Sequence, residues 1–393
     1  MSPPQVVVAG AGIGGLSAAL ALARCGYAVT VLERALVLEE AGAGVQLAAN
    51  ATRCLAALGV LERAREVAVN PRAFRVMDGR RGVALAEAEM ADAVAARFGG
   101  PFLVIHRADL QQVLLEAVRR EPLIRLLLGR TIEGFEEEPG VVAVDASGSG
   151  RLETHSGLAL IGADGVRSVV RRQLQPRALP VYQQRAAWRA TVPVEALPPD
   201  LADPVTRLWL GPGAHLVSYP VRAGREVNLV AVTPDKRGVH GWGLDADPAE
   251  LLRHYAGWSA QARALLAAPA HWLRWALYDL EPMESWGTGR VTLLGDAAHA
   301  MLPFLAQGAA QAIEDSAVLA AELAGRADDI PAALRRYEAR RMDRTARVQT
   351  AARGMARIYH LAGPARLARD LVMRARSGEA MLERYRWIYE WQP

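Results

Sequence analysis

The chain has 393 residues, too many for one small domain and suited to two that share a core. Hydrophobic residues make up 51% and charged residues 22%, a balance that excludes a disordered chain. The net charge of +4 comes almost wholly from scattered arginines, whereas a nucleic-acid footprint needs a concentrated basic face. Cys25 and Cys54 lie far apart, form no CxxC pair and build no disulfide framework, so a reducing, cytoplasmic setting is expected and no metal site. The apolar N-terminus lacks the basic start of a signal peptide, and no run reaches the roughly 18 apolar residues that cross a bilayer.

The first predicted element is a buried parallel strand over Val6, Val7 and Val8. Gly10, Gly12 and Gly15 then supply G-x-G-x-x-G, with Ile13 and Gly14 inside it. The first glycine permits a tight turn, the second lets backbone approach a pyrophosphate, and the third lets a helix pack on the strand. Leu16 to Arg24 contains no helix breaker and continues as that helix, whose N-terminal N–H groups face the phosphates. Ala28 to Leu32 forms a second strand ending at Glu33, at the spacing of a ribose-binding acid. This fingerprint alone does not separate FAD from NAD.

Further on, Leu158 to Ile161 is a strand that ends in Gly162-Ala163-Asp164-Gly165-Val166-Arg167-Ser168. By itself that segment also reads as an ordinary turn, since Asp-Gly is a common turn dipeptide. No second G-x-G-x-x-G follows a strand, so a second dinucleotide has no Rossmann unit of its own. Short runs at Ala187–Val192, Thr206–Leu210, His215–Pro220 and Val227–Val232, separated by turn residues, suggest an antiparallel sheet. The insert from Ala73 to about Phe102, with its Asp78-Gly79 turn, is expected to join it.

His215 and Tyr219 lie four apart on one strand and point to one face. They are the candidate catalytic pair, because histidine titrates near neutrality and tyrosine relays or anchors a proton; a packed or solvated sheet face is the alternative. Arg290 to Leu294 forms another buried strand, with Asp296 at its carboxyl end, where open α/β sheets place ligands. After Pro303, the stretch Gln307-Gly308-Ala309-Ala310 starts a helix running to about Gly325, its positive end facing the same site. His299 reads as a structural residue of the intervening turn, having no catalytic partner nearby. The tail from about Arg344 is helical and is expected to pack on its own domain or on a second subunit.

The segments VVVAGAGIGG, LIGADGVRS and GDAAHAMLPFLAQGAAQAIEDS, in this order and at this spacing, resemble the flavin-dependent aromatic hydroxylases. These are single-component monooxygenases related to para-hydroxybenzoate hydroxylase, and the likeness is greatest to salicylate and 3-hydroxybenzoate 6-hydroxylases. It covers nearly the whole chain and is weakest in the middle sheet.

The resemblance implies an α/β fold with three parts. A Rossmann-like FAD-binding domain with a parallel sheet would comprise 1–72, 103–175 and 275–343. An antiparallel-sheet substrate domain would comprise 73–102 and 176–274, and C-terminal helices would fill 344–393. FAD would be held by Gly10, Gly12, Ile13, Gly14, Gly15, Glu33, Arg34, Gly44, Val45, Arg107, Arg130, Asp164, Asp296, Gly308 and Ala309. Within that set the loop Gly42 to Leu47 would lie beside the isoalloxazine, and Asp296 would hold the ribityl chain. Arg107 would reach the ribityl and phosphate region, a role compatible with capping a helix that starts at Asp109. Substrate would meet Gln46, His215, Tyr219 and Pro303.

The implied reaction takes electrons from NADH or NADPH into FAD, adds O2 at flavin C4a and delivers hydroxyl from the hydroperoxide to a phenolic acid-like ring. A monomer or homodimer would suffice. An alternative keeps the fold but takes a larger polyketide, terpenoid or indole substrate into a roomier, more apolar pocket, as an epoxidase or tailoring hydroxylase. From another class, a flavin-binding protein without turnover would share the frame. The chain departs from the family pattern at Val45, Ala300, Ala306 and Ala310, of which Ala306 stiffens a turn where glycine is frequent.

Overall fold

The structure, a computed structural model, describes residues 3–38, 44–236 and 244–393. Gly42 and Ala43 of the expected flavin loop lie outside the described residues. The N-terminal fingerprint folds as read: strand Gln5–Ala9, helix Ile13–Arg24 and strand Ala28–Glu33. These strands join a five-stranded parallel sheet in the order Val291–Leu293, Ala159–Gly162, Gln5–Ala9, Ala28–Glu33, Ile124–Leu128. Val6, Val7 and Val8 are fully buried because helix Ile13–Arg24 and a three-stranded antiparallel sheet, Thr131–Glu138, Val141–Gly148 and Arg151–Gly157, both pack on the parallel sheet, which is why this strand reads as an unbroken apolar run rather than an alternating one.

The glycine turn is dictated by packing. A Cβ on Gly15 would lie 1.9 Å from the Gly10 carbonyl oxygen, and one on Gly10 would lie 2.6 Å from that of Ala163. Helix Ile13–Arg24 therefore starts flush against the strand end, with Gly12 as its N-cap and no side chain capping it.

The second sheet has eight strands in the order Leu244–Ala246, Trp272–Asp279, Val181–Pro193, Glu226–Pro234, Ala214–Val221, Val205–Gly211, Ala73–Asp78, Ala84–Glu89. The insert does join it, but one pair departs from the expected antiparallel pattern. Val205–Gly211 runs parallel to Ala73–Asp78, because the latter enters from the FAD-binding part and not through a hairpin. Alternation then sorts the side chains. Trp188, Trp209, Leu216, Leu229 and Ala231 face a core closed by helices Pro248–His254 and Ala260–Ala267. Ala187, Arg189, His215, Val217, Tyr219, Val230 and Val232 fall on the opposite face, with Arg189 paired to Val230 and Val230 to Val217 across the strands.

A short antiparallel pair, Gly44–Leu47 with Leu103–His106, connects the two sheets. The tail folds as helices Ile330–Tyr359, Gly363–Arg374, Gly378–Glu383 and Arg386–Tyr389. It packs on its own chain: Arg344 donates to the carbonyls of Trp387 and Ile388 at 2.9 and 3.0 Å, and Arg53 to that of Tyr389 at 2.7 Å. Among the described residues no helix is long and apolar enough to cross a membrane.

Ala306 sits in the left-handed region at φ 53°, directly before helix Gly308–Leu323. A side chain there costs about 1–2 kcal/mol, partly offset because glycine gains more freedom on unfolding. Ala306→Gly is expected to raise stability by roughly 0.5–1 kcal/mol, read as a higher urea midpoint; an unchanged or lower midpoint would contradict the strain assigned here.

Candidate functional site

Three strand-end turns meet one cavity. It has a volume of about 280 Å³ and is bordered by Gly12, Ile13 and Gly14 from the first turn, Ala163 and Gly165 from the second, and Gly295 and Asp296 from the third. Gly44, Val45 and Gln46 close one side and Arg107 another. Pro303, Ala306, Gly308 and Ala309 supply the start of the cleft helix Gly308–Leu323, and the floor is the sheet face carrying Arg189, His215, Val217, Tyr219, Val230 and Val232.

This cavity fits FAD on its own chemistry. Two helices begin at it, Ile13–Arg24 and Gly308–Leu323, and neither N-terminus is capped by a side chain. Their free N–H groups and positive dipole ends suit a pyrophosphate and an electron-rich flavin ring. A Cβ on Gly12 would meet no protein atom within 4 Å; it would project into the cleft, so glycine there keeps room for a ligand and not for packing. Asp296 is exposed to the cavity, with its Oδ1 3.9 Å from where a Cβ on Gly308 would stand.

Four expected cofactor residues, Glu33, Arg34, Arg130 and Asp164, do not line this cavity, and three of them have their side chains engaged elsewhere. Glu33 accepts hydrogen bonds from the N–H groups of Ala11 and Ala35, both at 2.8 Å, which locks the glycine turn to the end of its neighbouring strand. The Arg130 N–H donates to the Glu33 carbonyl at 2.7 Å, while the Arg130 guanidinium pairs with Glu153 at 2.9 Å. Asp164 Oδ2 takes the N–H groups of Val169 and Val170 at 2.6 and 3.3 Å, so its carboxylate serves the start of helix Val169–Leu174; burial pushes its pKa up. Arg34 is exposed beyond its strand. Helix Arg107–Arg120 begins at Arg107, two residues earlier than expected, with His106 at the N-cap.

Sequence reasoning missed what fastens the flavin loop. Asn228, fully buried on the sheet face, accepts the Gly44 N–H through Oδ1 at 2.6 Å. The Tyr219 ring packs so closely on Gly44 that a Cβ there would lie 2.3 Å from it. Tyr219 therefore has a packing role besides bordering the cavity. The signal was present: an asparagine in an otherwise apolar alternating strand is a buried polar group that needs a partner.

Behind the cleft helix lies a buried ionic cluster. Arg341 pairs with Glu314 at 2.6 Å and Asp315 at 2.7 Å, all three fully buried, and Arg344 adds a second contact to Glu314 at 2.7 Å. Asp315 Oδ2 in turn accepts the Gly295 N–H at 2.9 Å and meets His299 Nε2 at 2.6 Å. Burial pushes Asp315 up, but His299 and Arg341 outweigh it and lower its pKa to about 2. This cluster fixes the Gly295–Asp296 turn from below, and His299 belongs to it.

His215 is 3% exposed, and its Nδ1 lies 2.8 Å from Nε2 of His360, the residue that ends helix Ile330–Tyr359. Burial lowers the pKa of both: His215 well below its ordinary value, with His360 and Arg185 adding to the effect, and His360 to about 3, with Arg185 adding. Both therefore stay neutral when folded, whereas an unfolded histidine protonates near 6.5. Their stabilising contribution is complete above that pH and is lost as the pH falls below it, by about 1.4 kcal/mol per pH unit per histidine. His360→Gln should make the loss of stability from pH 6.5 to 5 shallower by about that slope, as followed by urea midpoints; parallel curves would contradict it.

A cleft with these turns and helix starts defines a dinucleotide-binding protein, and the family match makes that dinucleotide FAD. The chain belongs to the family described as FAD binding domain, whose profile matches residues 4–352. It is 40% identical over 388 residues to 3-hydroxybenzoate 6-hydroxylase of Polaromonas naphthalenivorans, covering 98% of this chain and 96% of that one. It is 36% identical to 3-amino-4-hydroxybenzoate 2-monooxygenase of Streptomyces cremeus, covering 98% and 94%. Among solved structures it resembles a salicylate hydroxylase substrate complex, with TM-score 0.84, 27% identity and coverage of 100% and 96%. It also resembles Klebsiella pneumoniae HpxO complexed with FAD and uric acid, with TM-score 0.83, 29% identity and coverage of 97% and 95%. The chain is an FAD-dependent monooxygenase.

Proposed function

We propose that this enzyme hydroxylates a phenolic aromatic acid, with NADH or NADPH as reductant and O2 as oxidant, in the cytoplasm and as a monomer or homodimer. The observation that carries this reading is the cavity of about 280 Å³ in which the FAD turns and the His215 face of the sheet confront each other. Gly12, Gly14, Arg107, Asp296 and Gly308 would hold the cofactor. Bound FAD supplies the redox chemistry: it takes up hydride from the nicotinamide and activates O2.

The protein's own part is to bind, orient and exclude water. Arg189 borders the sheet side of the cavity and stacks on Trp275 at 5.1 Å, and its guanidinium would receive a ring carboxylate. His215 stays neutral, as a proton acceptor must, and would take the hydrogen bond of the phenol hydroxyl at Nε2. That pushes electron density into the ring and prepares it to accept electrophilic oxygen. Gln46 and Pro303 border the same space from the flavin side, and the apolar side chains of Val217, Val230 and Val232 keep it dry.

The test is His215→Asn on holoenzyme with a panel of hydroxybenzoates. Substrate-dependent product formation should fall by roughly 100-fold while FAD stays bound, a loss typical of a general base. Wild-type turnover on every member of the panel would remove His215 from the mechanism.

A second reading has one observation behind it. An adjoining compartment of about 150 Å³ shares Gln46, His215, Val217, Pro303 and Ala306 with the cleft and is walled by Phe74, Leu208, Met355, Met373 and Met381. Such apolar space favours a ring bearing an apolar substituent, and the same panel extended with alkyl-substituted phenols distinguishes the two.

A further inference from the structure

The contact between His215 and His360 bears on the reaction beyond the proposed base, and the inference drawn from it rests on the reading that His215 faces substrate. One hydrogen sits between His215 Nδ1 and His360 Nε2 across 2.8 Å, and which nitrogen owns it decides what His215 offers the cavity. The ring geometry of imidazole points Nε2 away from Nδ1, so with Nδ1 turned to His360 the other nitrogen of His215 is the one aimed elsewhere.

The groups around the pair are cationic and apolar. Two arginines face His360: Arg185, whose Nη1 donates to the Gly213 carbonyl at 3.0 Å, and Arg369, whose Nη1 donates to the Tyr359 carbonyl at 2.9 Å. The rings of Phe304 and Tyr359 flank His215 at 5.2 and 5.4 Å, and the Tyr255 hydroxyl donates to its backbone carbonyl at 2.8 Å. Cations and apolar rings leave His360 with a single ring proton. His360 Nδ1 is buried and meets no hydrogen-bond partner in the protein. A base that accepts the phenol hydrogen bond at Nε2 must carry its own ring proton on Nδ1, and His360 Nε2 stands 2.8 Å from that nitrogen as its acceptor. On that reading the shared hydrogen belongs to His215 Nδ1.

We propose that His360 is a positioning residue that holds His215 in its Nδ1–H tautomer, so that Nε2 presents a lone pair to the hydroxyl of a phenolic substrate. The placement is built in: the Gly213 N–H, in the turn just before His215, donates to the His360 carbonyl at 3.2 Å, tying the end of the long helix to the strand that carries the base.

The direct test is nitrogen NMR of oxidised wild-type holoenzyme carrying labelled histidine, with the His215 signals assigned by their loss in His215→Asn. The expected result is a protonated Nδ1 and an unprotonated Nε2; the reverse would overturn the proposal, whatever the fate of any variant. Kinetics with 3-hydroxybenzoate then separate positioning from structure. In His360→Leu, kcat should fall by roughly 10-fold at neutral pH with KM changed about twofold or less, and recover as the pH approaches the phenol's own pKa. His360→Gln, whose amide oxygen accepts from Nδ1–H, should keep most of the wild-type rate. A wild-type pH profile for His360→Leu alongside an impaired His215→Asn would overturn the positioning role. If instead His215→Asn itself keeps the wild-type rate, the base assignment fails, and the nitrogen spectrum alone decides the tautomer.

Discussion

Gly15→Ala is expected to yield a nearly colourless, less stable protein. The added methyl would stand 1.9 Å from the Gly10 carbonyl oxygen, which is backbone and cannot swing aside. Helix Ile13–Arg24 must move off the strand end, and the N–H groups it would offer the pyrophosphate move with it. Overpacking of this kind costs about 1–3 kcal/mol of stability, and the displaced donors should weaken FAD by roughly 100-fold, close to 2.7 kcal/mol. Gly12→Ala makes the contrast. Its methyl meets no protein atom within 4 Å, so the apoprotein should melt as wild type does while FAD affinity falls. Titration of both apoproteins with FAD, beside their melting curves, checks the pair. A Gly15→Ala protein as yellow and as stable as wild type would show that this turn does not set the cofactor's seat.

The second large effect lies outside the cavity. Arg341→Leu would leave Glu314 and Asp315 fully buried without their main cation. Breaking a buried pair from one side costs about 3–5 kcal/mol, a large part of the roughly 5–15 kcal/mol that holds a folded protein together. The loss should reach the cofactor as well, because Asp315 also anchors the Gly295 N–H at 2.9 Å beside Asp296. Weak FAD retention and a urea midpoint far below wild type are expected. A single variant with wild-type midpoint and flavin content would contradict the account of this cluster.

The parts of the fold visible in the sequence are those written locally. Val6 to Val8, the three glycines and Glu33 lie within one strand–helix–strand unit, where apolar runs and turn chemistry act between near neighbours. The same holds for the turns at Asp164 and Asp296, and for the alternation that puts His215 and Tyr219 on one face. What escaped depends on partners far along the chain. His360 looks like any residue at the end of a long helix until folding brings it to His215, and Arg341 reads as one of many helical arginines until it meets Glu314. The parallel pairing of Ala73–Asp78 with Val205–Gly211 escaped for the same reason, since strand direction is set by a chain path and not by a residue pattern. Asp164 was placed correctly at the strand end, yet the direction of its carboxylate depended on the helix that follows.

The most direct measurement is turnover of FAD-loaded enzyme on hydroxybenzoates under isotopically heavy dioxygen, with NAD(P)H consumption and product mass followed together. The account predicts substrate-stimulated NAD(P)H oxidation and a ring product carrying one heavy oxygen atom. Hydrogen peroxide formed in step with NAD(P)H across the whole panel, with no labelled product, would contradict it.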